Sequence, residues 1–414
     1  MSRERLKTIF IAKNVMVKSK IKQTQTAPKT RLKIASKNGS AESKTTKTIQ
    51  KNKEKKTISI KKTKNHLELT PRVRHEFEKK EYGIVGNHSG VQICSWNKKA
   101  LRGEGVCYKQ KFYGIDCAKC AQMAPTIAWC QNNCIFCWRP MEWMKENPEE
   151  MEVDAPELII KETIEQRKKL LSGFGGNKKV NQKFFKEALE PNHWAISLSG
   201  EPTTYSKLDK LVLKLRENNT KSIFIVTNGQ NPKMLKKLQK NHALPTQLYL
   251  SISASNKKMF DKVDRTYDKN GWEIFNETIN LFPKLNCRKI LRLTLIKAFN
   301  DGYDEKTDKI NQETLKEYAE LIEKSKTDFL EIKAYMFLGF SRKRLKENNM
   351  PLHTYVKKWG KELEQYLPNY KYIDEQKESR IILLKRKDSP YTTLIDFKKE
   401  KKLNLEIQQK KKIK

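Results

Sequence analysis

The chain has 414 residues and carries 86 Lys and Arg against 48 Asp and Glu, a formal net charge of +38. That length accommodates one large domain or two modest ones, and that charge favours polyanionic partners, nucleic acid ahead of anionic membrane. A secreted disulfide protein is excluded, since seven of eight cysteines crowd between Cys94 and Cys137, and a membrane-spanning one too, since apolar runs such as Ile290–Ile296 are only strand-sized.

Residues 1–65 hold 20 basic and 3 acidic residues, with Phe10 the single aromatic. Such a segment buries too little apolar surface to offset the entropy of ordering, so a disordered basic arm is expected. A mitochondrial presequence is the alternative for its first 20 residues, though the basic, Thr-rich character continues past them; the expectation is a cytoplasmic monomer that does not touch membrane. Residues 66–125 form a cysteine-bearing extension in which Cys94, Cys107 and Cys120 follow one another at intervals of thirteen residues. These gaps are too long for a zinc finger. Cys117 adds a Cys-x2-Cys pair with Cys120 and competes with it. Lys109, judged by composition, is an ordinary solvated lysine.

Residues 126–345 alternate between strand and helix. A short strand is expected before Cys130, and apolar, β-branched runs at His193–Ser199, Ser222–Asn228, Gln247–Ser253, Ile290–Lys297 and Asp328–Met336 read as buried parallel strands. Amphipathic stretches lie between them: Pro156–Leu171 after the capping-type Asp154, Lys207–Glu217, Trp272–Leu281 and Gln312–Ile322. Six βα units predict an α/β fold, a partial (β/α)6 TIM-like barrel whose chemistry sits at the carboxyl ends of its strands.

The loop after the first strand contains Cys130, Cys134 and Cys137, spaced by three and then two residues. Three thiolates fill three corners of a cubic iron-sulfur cluster and leave one iron open, whereas structural zinc normally takes four ligands. Phe136, just before the last cysteine, favours the cluster. Ser199-Gly200-Glu201-Pro202 closes the second strand as a strand-to-helix turn. Asn228 ends the third, and Ser251 and Ser253 lie on the fourth; each is placed to meet a polar ligand and equally to cap its helix.

Residues 346–397 read as a helix over Thr354–Leu367 and a hairpin of Tyr370–Ile373 with Arg380–Lys385. Residues 398–414 read as another lysine-rich tail. Lys98, Lys99 and Arg102, with Arg342, Lys343 and Arg344, are expected in loops on the active-site face, where phosphate contacts would hold RNA. Solvated surface charge is the plainer reading of any one of them.

The Cys-x3-Cys-x2-Cys loop resembles the signature of the radical S-adenosylmethionine superfamily. That resemblance implies a 4Fe-4S cluster on Cys130, Cys134 and Cys137, whose open iron chelates the methionine end of S-adenosylmethionine, and a 5′-deoxyadenosyl radical. It assigns Gly200 and Glu201 to the cofactor's amino group, with Phe136, Ser199, Asn228, Ser251 and Ser253 around it. More narrowly, Tyr82-Gly83-Ile84-Val85-Gly86, Leu101-Arg102-Gly103-Glu104-Gly105, Lys109-Gln110-Lys111-Phe112-Tyr113-Gly114, Cys134-Ile135-Phe136-Cys137-Trp138-Arg139-Pro140 and Ile332-Lys333-Ala334-Tyr335-Met336 resemble the tRNA 4-demethylwyosine synthase family, archaeal type without a flavodoxin domain. This implies a second 4Fe-4S cluster on Cys94, Cys107 and Cys120, and Lys109 as the Schiff-base partner of pyruvate. It implies as substrate the 1-methylguanosine next to the anticodon of tRNA-Phe, an external electron donor, and a carbon-carbon lyase reaction. A different radical RNA-modifying enzyme, such as a methyltransferase or methylthiotransferase, leaves the upstream triplet without a role. A zinc-containing RNA-binding protein leaves Gly200-Glu201-Pro202 and the βα series without one.

Overall fold

The structure is a computed structural model and describes residues 65–146, 148, 151–218 and 220–412. The basic arm expected over residues 1–65 therefore lies, apart from Asn65, outside the described residues. A hairpin of β1 (Gly83–Val85) and β2 (Ser89–Gln92) comes first, followed by β3 (Cys120–Ala124), β4 (His193–Ile196), β5 (Ser222–Thr227), β6 (Gln247–Ile252) and β7 (Arg288–Leu295). A small ribbon of β8 (Tyr303–Asp304) and β9 (Lys309–Ile310) precedes β10 (Phe329–Ala334), and β11 (Tyr370–Gln376) and β12 (Ile381–Arg386) finish the series.

Ten of these strands form one sheet in the order β1-β2-β3-β4-β5-β6-β7-β10-β12-β11. β3, β4, β5, β6, β7 and β10 are mutually parallel, so the partial barrel of six strands expected from the sequence is present. Antiparallel β2 and β12 cover its two edges. Unprotected edges of a parallel sheet would offer unpaired backbone groups to another chain.

Alternation along the strands sorts side chains to two faces. Ile223 and Ile225 of β5 and Leu248 and Leu250 of β6 join the main core outside the barrel, with the buried stripe Leu208, Leu211, Val212 and Leu215 of helix Leu208–Glu217. Phe224 and Tyr249 point the other way and meet Tyr108, Phe112 and Tyr113 of the helix Tyr108–Tyr113. The extension thus contributes aromatic residues to the face opposite the covering helices.

Three expectations need correction. The first parallel strand is Cys120–Ala124, ahead of the boundary drawn at residue 126 and one residue short of Pro125, so extension and barrel share a strand. Helix Pro156–Leu171 has the expected bounds, but Asp154 does not cap it; its carboxylate accepts the Asn87 backbone and side-chain N–H groups, each at 2.8 Å. The lysine-rich tail is a helix, Phe397–Lys412, fastened by Glu400 to Arg216 and Thr246, by Asn404 to Arg216 and Thr220, and by Gln408 to Glu217. Those three residues stand four apart and form a polar seam, which a search for apolar periodicity overlooks. Among the described residues no helix is long and apolar enough to cross a membrane.

His88 carries a pH-dependent share of this stability. Its Nδ1–H donates to the Pro125 carbonyl at 2.6 Å, which leaves Nε2 to accept the Asp154 N–H at 2.9 Å. Burial pushes its pKa below the ordinary 6.5, against the pull of the Asp154 carboxylate. The unfolded chain therefore binds more protons than the native one below about pH 6.5, so this contribution is intact above that pH and is lost as pH falls, by at most about 1.4 kcal/mol per unit. Chemical denaturation at several pH values should show a steeper loss below pH 6.5 for the wild type than for His88→Gln. Equal slopes would remove His88 from the account.

Candidate functional site

The loop from Trp129 to Pro140 leaves the carboxyl end of β3 and is pinned at several backbone points. Cys130 N–H donates to Lys145 O at 2.9 Å and Ile135 N–H to Val263 O at 2.9 Å. Arg344 donates to Ile135 O at 3.1 Å and also to Cys137 O. Cys130, Cys134 and Cys137 line one cavity of about 230 Å³ together with Phe136, Ser199, Gly200, Glu201, Asn228, Ser251 and Ser253. Every residue expected at the first cluster and its cofactor is thereby brought to one place.

Burial raises all three thiols above the ordinary cysteine range, and each lies near enough to another for their charges to repel. Three such thiolates become stable only against a cation, so the donor set fits an iron-sulfur cluster that binds with loss of protons. Among the described residues no group of three or more His, Cys, Asp or Glu already stands in metal-holding geometry.

Gly200 decides how closely the turn after β4 approaches this loop. Its φ is +68°, and a Cβ there would fall 1.9 Å from Thr126 O and 2.7 Å from Trp129 O. Only glycine admits that contact. The next residue then donates its N–H to Trp129 O at 2.7 Å. The Glu201 carboxylate is spent inside the protein: it accepts Thr203 N–H, both Thr203 and Thr227 hydroxyls, and Asn228 N–H, at 2.7–3.1 Å. It therefore holds β4 to β5 and aims Asn228, whose side-chain amide reaches Cys130 Sγ at 3.7 Å. Its four protein donors make that carboxylate an organiser of the turn, which keeps Glu201 in the cavity wall. Ser253 donates to the Asp264 carboxylate, whose Oδ1 also accepts from Cys134 Sγ at 3.6 Å. Asp264 belongs to no motif of fixed spacing and Asn132 is an unspecified position inside the Cys-x3-Cys loop, so neither carries a sequence signal of its own, yet both line the cavity.

The second triplet gathers at the opposite end of β3. Cys120 opens that strand, Cys94 is the N-cap of helix Ser95–Leu101, and Cys107 the N-cap of helix Tyr108–Tyr113. Cys94 raises the pKa of both Cys107 and Cys120, each pushed up to about 12 chiefly by burial. Cys117 stands beside them with its Sγ accepting the Cys107 N–H at 3.5 Å. Since β3 is about 13 Å long at 3.3 Å per residue, the two triplets face the barrel from its two ends.

Lys109 is buried, only 8% exposed, and its Nζ lies 4.7 Å from the Phe224 ring centroid and 4.8 Å from that of Tyr249. Burial lowers its pKa from the ordinary lysine value, with Arg292 adding to the effect. It is not the solvated lysine that composition suggests. Glu331, fully buried, accepts from Tyr113 at 2.6 Å and Tyr249 at 3.2 Å and faces Arg292 at 3.9 Å. Lys333, pushed down to about 7 by burial, donates to Ser379 O. Arg292 on β7 and Glu331 and Lys333 on β10 interrupt apolar runs, a signal that periodicity alone does not weigh.

The expected RNA contacts divide. Lys98 and Lys99 lie on helix Ser95–Leu101 and Arg102 at its end, packed beside Cys117–Lys119 at the amino ends of the strands and not in loops on the cluster face. Lys98 pairs with Glu81 and Arg102 with Glu104, each at 2.7 Å. Arg342, Lys343 and Arg344 do follow the carboxyl end of β10, yet Arg344 is consumed in bracing the cysteine loop.

Comparison with known proteins agrees with this geometry. The Radical SAM superfamily model matches residues 125–310 and the Wyosine base formation model residues 324–386. The chain is 43% identical over 335 residues to the S-adenosyl-L-methionine-dependent tRNA 4-demethylwyosine synthase of Pyrococcus abyssi, an alignment that covers 80% of this chain and 94% of that one. It is 35% identical over 346 residues to the synthase TYW1 of Mus musculus, covering 82% of this chain and 46% of that longer one. A solved structure of TYW1 with a lysine-pyruvate adduct bound superposes with a TM-score of 0.68 at 33% identity, over 79% of this chain and 99% of that one.

Glu201→Gln tests the turn. An amide nitrogen on either side of that group faces a donor, which costs about 1–3 kcal/mol. The variant should keep its iron yet bind S-adenosylmethionine roughly tenfold more weakly or worse, as equilibrium dialysis under anaerobic conditions would show. Wild-type affinity would mean that the turn can relax without moving Asn228.

Proposed function

The chain belongs to the tRNA 4-demethylwyosine synthase family of radical S-adenosylmethionine enzymes, and on that premise we propose that it condenses 1-methylguanosine beside the anticodon of tRNA-Phe with pyruvate held on Lys109. Formation of the tricyclic wyosine base on tRNA, with S-adenosylmethionine and an iron-sulfur cluster, is the family's activity. The proposal adds pyruvate as second substrate, a second 4Fe-4S cluster on Cys94, Cys107 and Cys120, an external electron donor, and a carbon-carbon lyase reaction. The observation that carries it is a lysine amine buried against Phe224 and Tyr249, with one cysteine triplet beside it and the other beyond the opposite end of β3. A relative binds a lysine-pyruvate adduct, which supports the same role for Lys109.

Held by Cys130, Cys134 and Cys137, the cluster with S-adenosylmethionine would supply the radical chemistry of hydrogen-atom abstraction. The chain's own tasks are positional. Its dry aromatic box keeps Lys109 from being an ordinary protonated surface amine, so the nitrogen can add to the ketone carbon of pyruvate and release one water. The Glu201 and Asp264 networks keep Asn228 and the cysteine loop in register. Target bases buried in a stacked loop must be turned out to reach such a cavity.

Two measurements test this reading. Pyruvate with borohydride should add a reduced adduct to the wild type, mapped to Lys109; Lys109→Arg should keep its iron, lose the adduct and make no tricyclic nucleoside by mass spectrometry. Normal turnover of that variant would strike the covalent step. Cys94→Ala, Cys107→Ala or Cys120→Ala should roughly halve the bound iron and leave cofactor cleavage measurable. If Cys117→Ala removes that iron instead, the ligand set is wrong.

A further inference from the structure

Beside the cluster loop a second opening of about 380 Å³ is walled by Trp138 and Phe340 and edged by Lys80, Arg139 and Lys343. Trp138 and Arg139 also line the cluster cavity, so the two spaces share a wall. Every charged residue around the opening is basic. Trp138, the residue after Cys137, is 43% exposed. Lys343 and Lys80 flank the Phe340 ring at 4.9 and 5.6 Å from its centroid.

The pocket is built and not incidental. Gly339 has φ +54°, and a Cβ there would lie 2.4 Å from Trp138 O, so glycine is needed for the segment after β10 to approach the cluster loop. Phe340 N–H then donates to that same carbonyl at 3.1 Å, and Trp143 meets the Phe340 ring edge-on at 5.5 Å. Arg139 is 4% exposed and donates through one nitrogen to Tyr82 and Gln92, but its Nε and second terminal nitrogen have no partner. A buried guanidinium with unspent donors is costly unless a ligand supplies acceptors.

We propose that this pocket takes a second nucleotide of the substrate RNA, the immediate neighbour of the modified base. Its base stacks on Phe340 beside the half-exposed Trp138, whose ring is already covered on one face by the Arg139 guanidinium at 3.2 Å from its centroid, its phosphate meets Lys80 and Lys343, and Arg139 offers its free donors from the shared wall. This rests on the tRNA reading above. Aromatic faces among cations are the chemistry of single-stranded nucleic-acid sites, where each stacked base contributes about 1–3 kcal/mol. A target base that leaves the stack exposes its neighbour's face, and the shared wall places that neighbour here.

The test uses the reconstituted full chain and anticodon stem-loops carrying 1-methylguanosine, either intact or with an abasic site at one flanking position. For the wild type, one of the two abasic RNAs should show a KM raised roughly 5- to 100-fold, with kcat little changed. Phe340→Leu keeps the bulk but loses the ring, so it should raise KM on intact RNA and respond far less to the abasic site. Lys80→Ala with Lys343→Ala should flatten the salt dependence of binding by a slope of roughly 1.4, two single-strand phosphate contacts. Intact and both abasic RNAs converted with equal KM by the wild type would overturn the pocket and leave the enzyme's activity standing. If the wild type converts none of the three, the tRNA reading fails and takes the pocket with it. Should Phe340→Leu not retain iron, the wild-type comparison alone decides.

Discussion

The contact on which the site depends is the approach of Gly200 to the carbonyls of Thr126 and Trp129, closer than any residue with a Cβ could come. It lets the turn after β4 seat under the cysteine loop, and Glu201 then gathers donors from its own turn and from the end of β5. A carboxylate with four protein donors is a rigid joint, because moving any one partner leaves a buried polar group unpaired. Asn228, Cys130 and the loop between them inherit that rigidity.

The same barrel has two different interiors. Toward the carboxyl ends of the strands the cavity is lined by short polar residues and thiols, as a polar ligand requires. Toward the amino ends it is a box of aromatic rings with Glu331 and Arg292 paired inside it and Lys109 laid against two rings. Burial disfavours charge on an amine and on a thiol alike, so Lys109 at this end is pushed toward its neutral form and Cys107 and Cys120 are held as thiols. The distribution of positive charge follows a related logic. Arg344 is engaged by the carbonyls of Ile135 and Cys137 and by the Glu142 carboxylate, whereas Lys80 and Lys343 stand beside an aromatic ring at an open rim. A large basic excess thus resolves into a few placed cations and many solvated ones.

Much of this was legible in the chain. Strand and helix periodicity predicted the six parallel strands, and the spacing of Cys130, Cys134 and Cys137 predicted a three-thiol site after the first of them, because local sequence controls both periodicity and loop length. The even spacing of Cys94, Cys107 and Cys120 set them apart, but only resemblance made them a ligand set, since they come from two helix N-caps and a strand start. What tertiary structure alone decided is the environment of single side chains. It turned Lys109 from a surface charge into a buried amine, moved Lys98, Lys99 and Arg102 to the far end of the barrel, and turned the lysine-rich tail into a helix held by Glu400, Asn404 and Gln408. Burial and long-range pairing, such as Arg216 with Glu400 across 184 residues, are set by which elements pack together. No local pattern encodes that, because the physics of a charge depends on its neighbours in space and not on its neighbours in the chain.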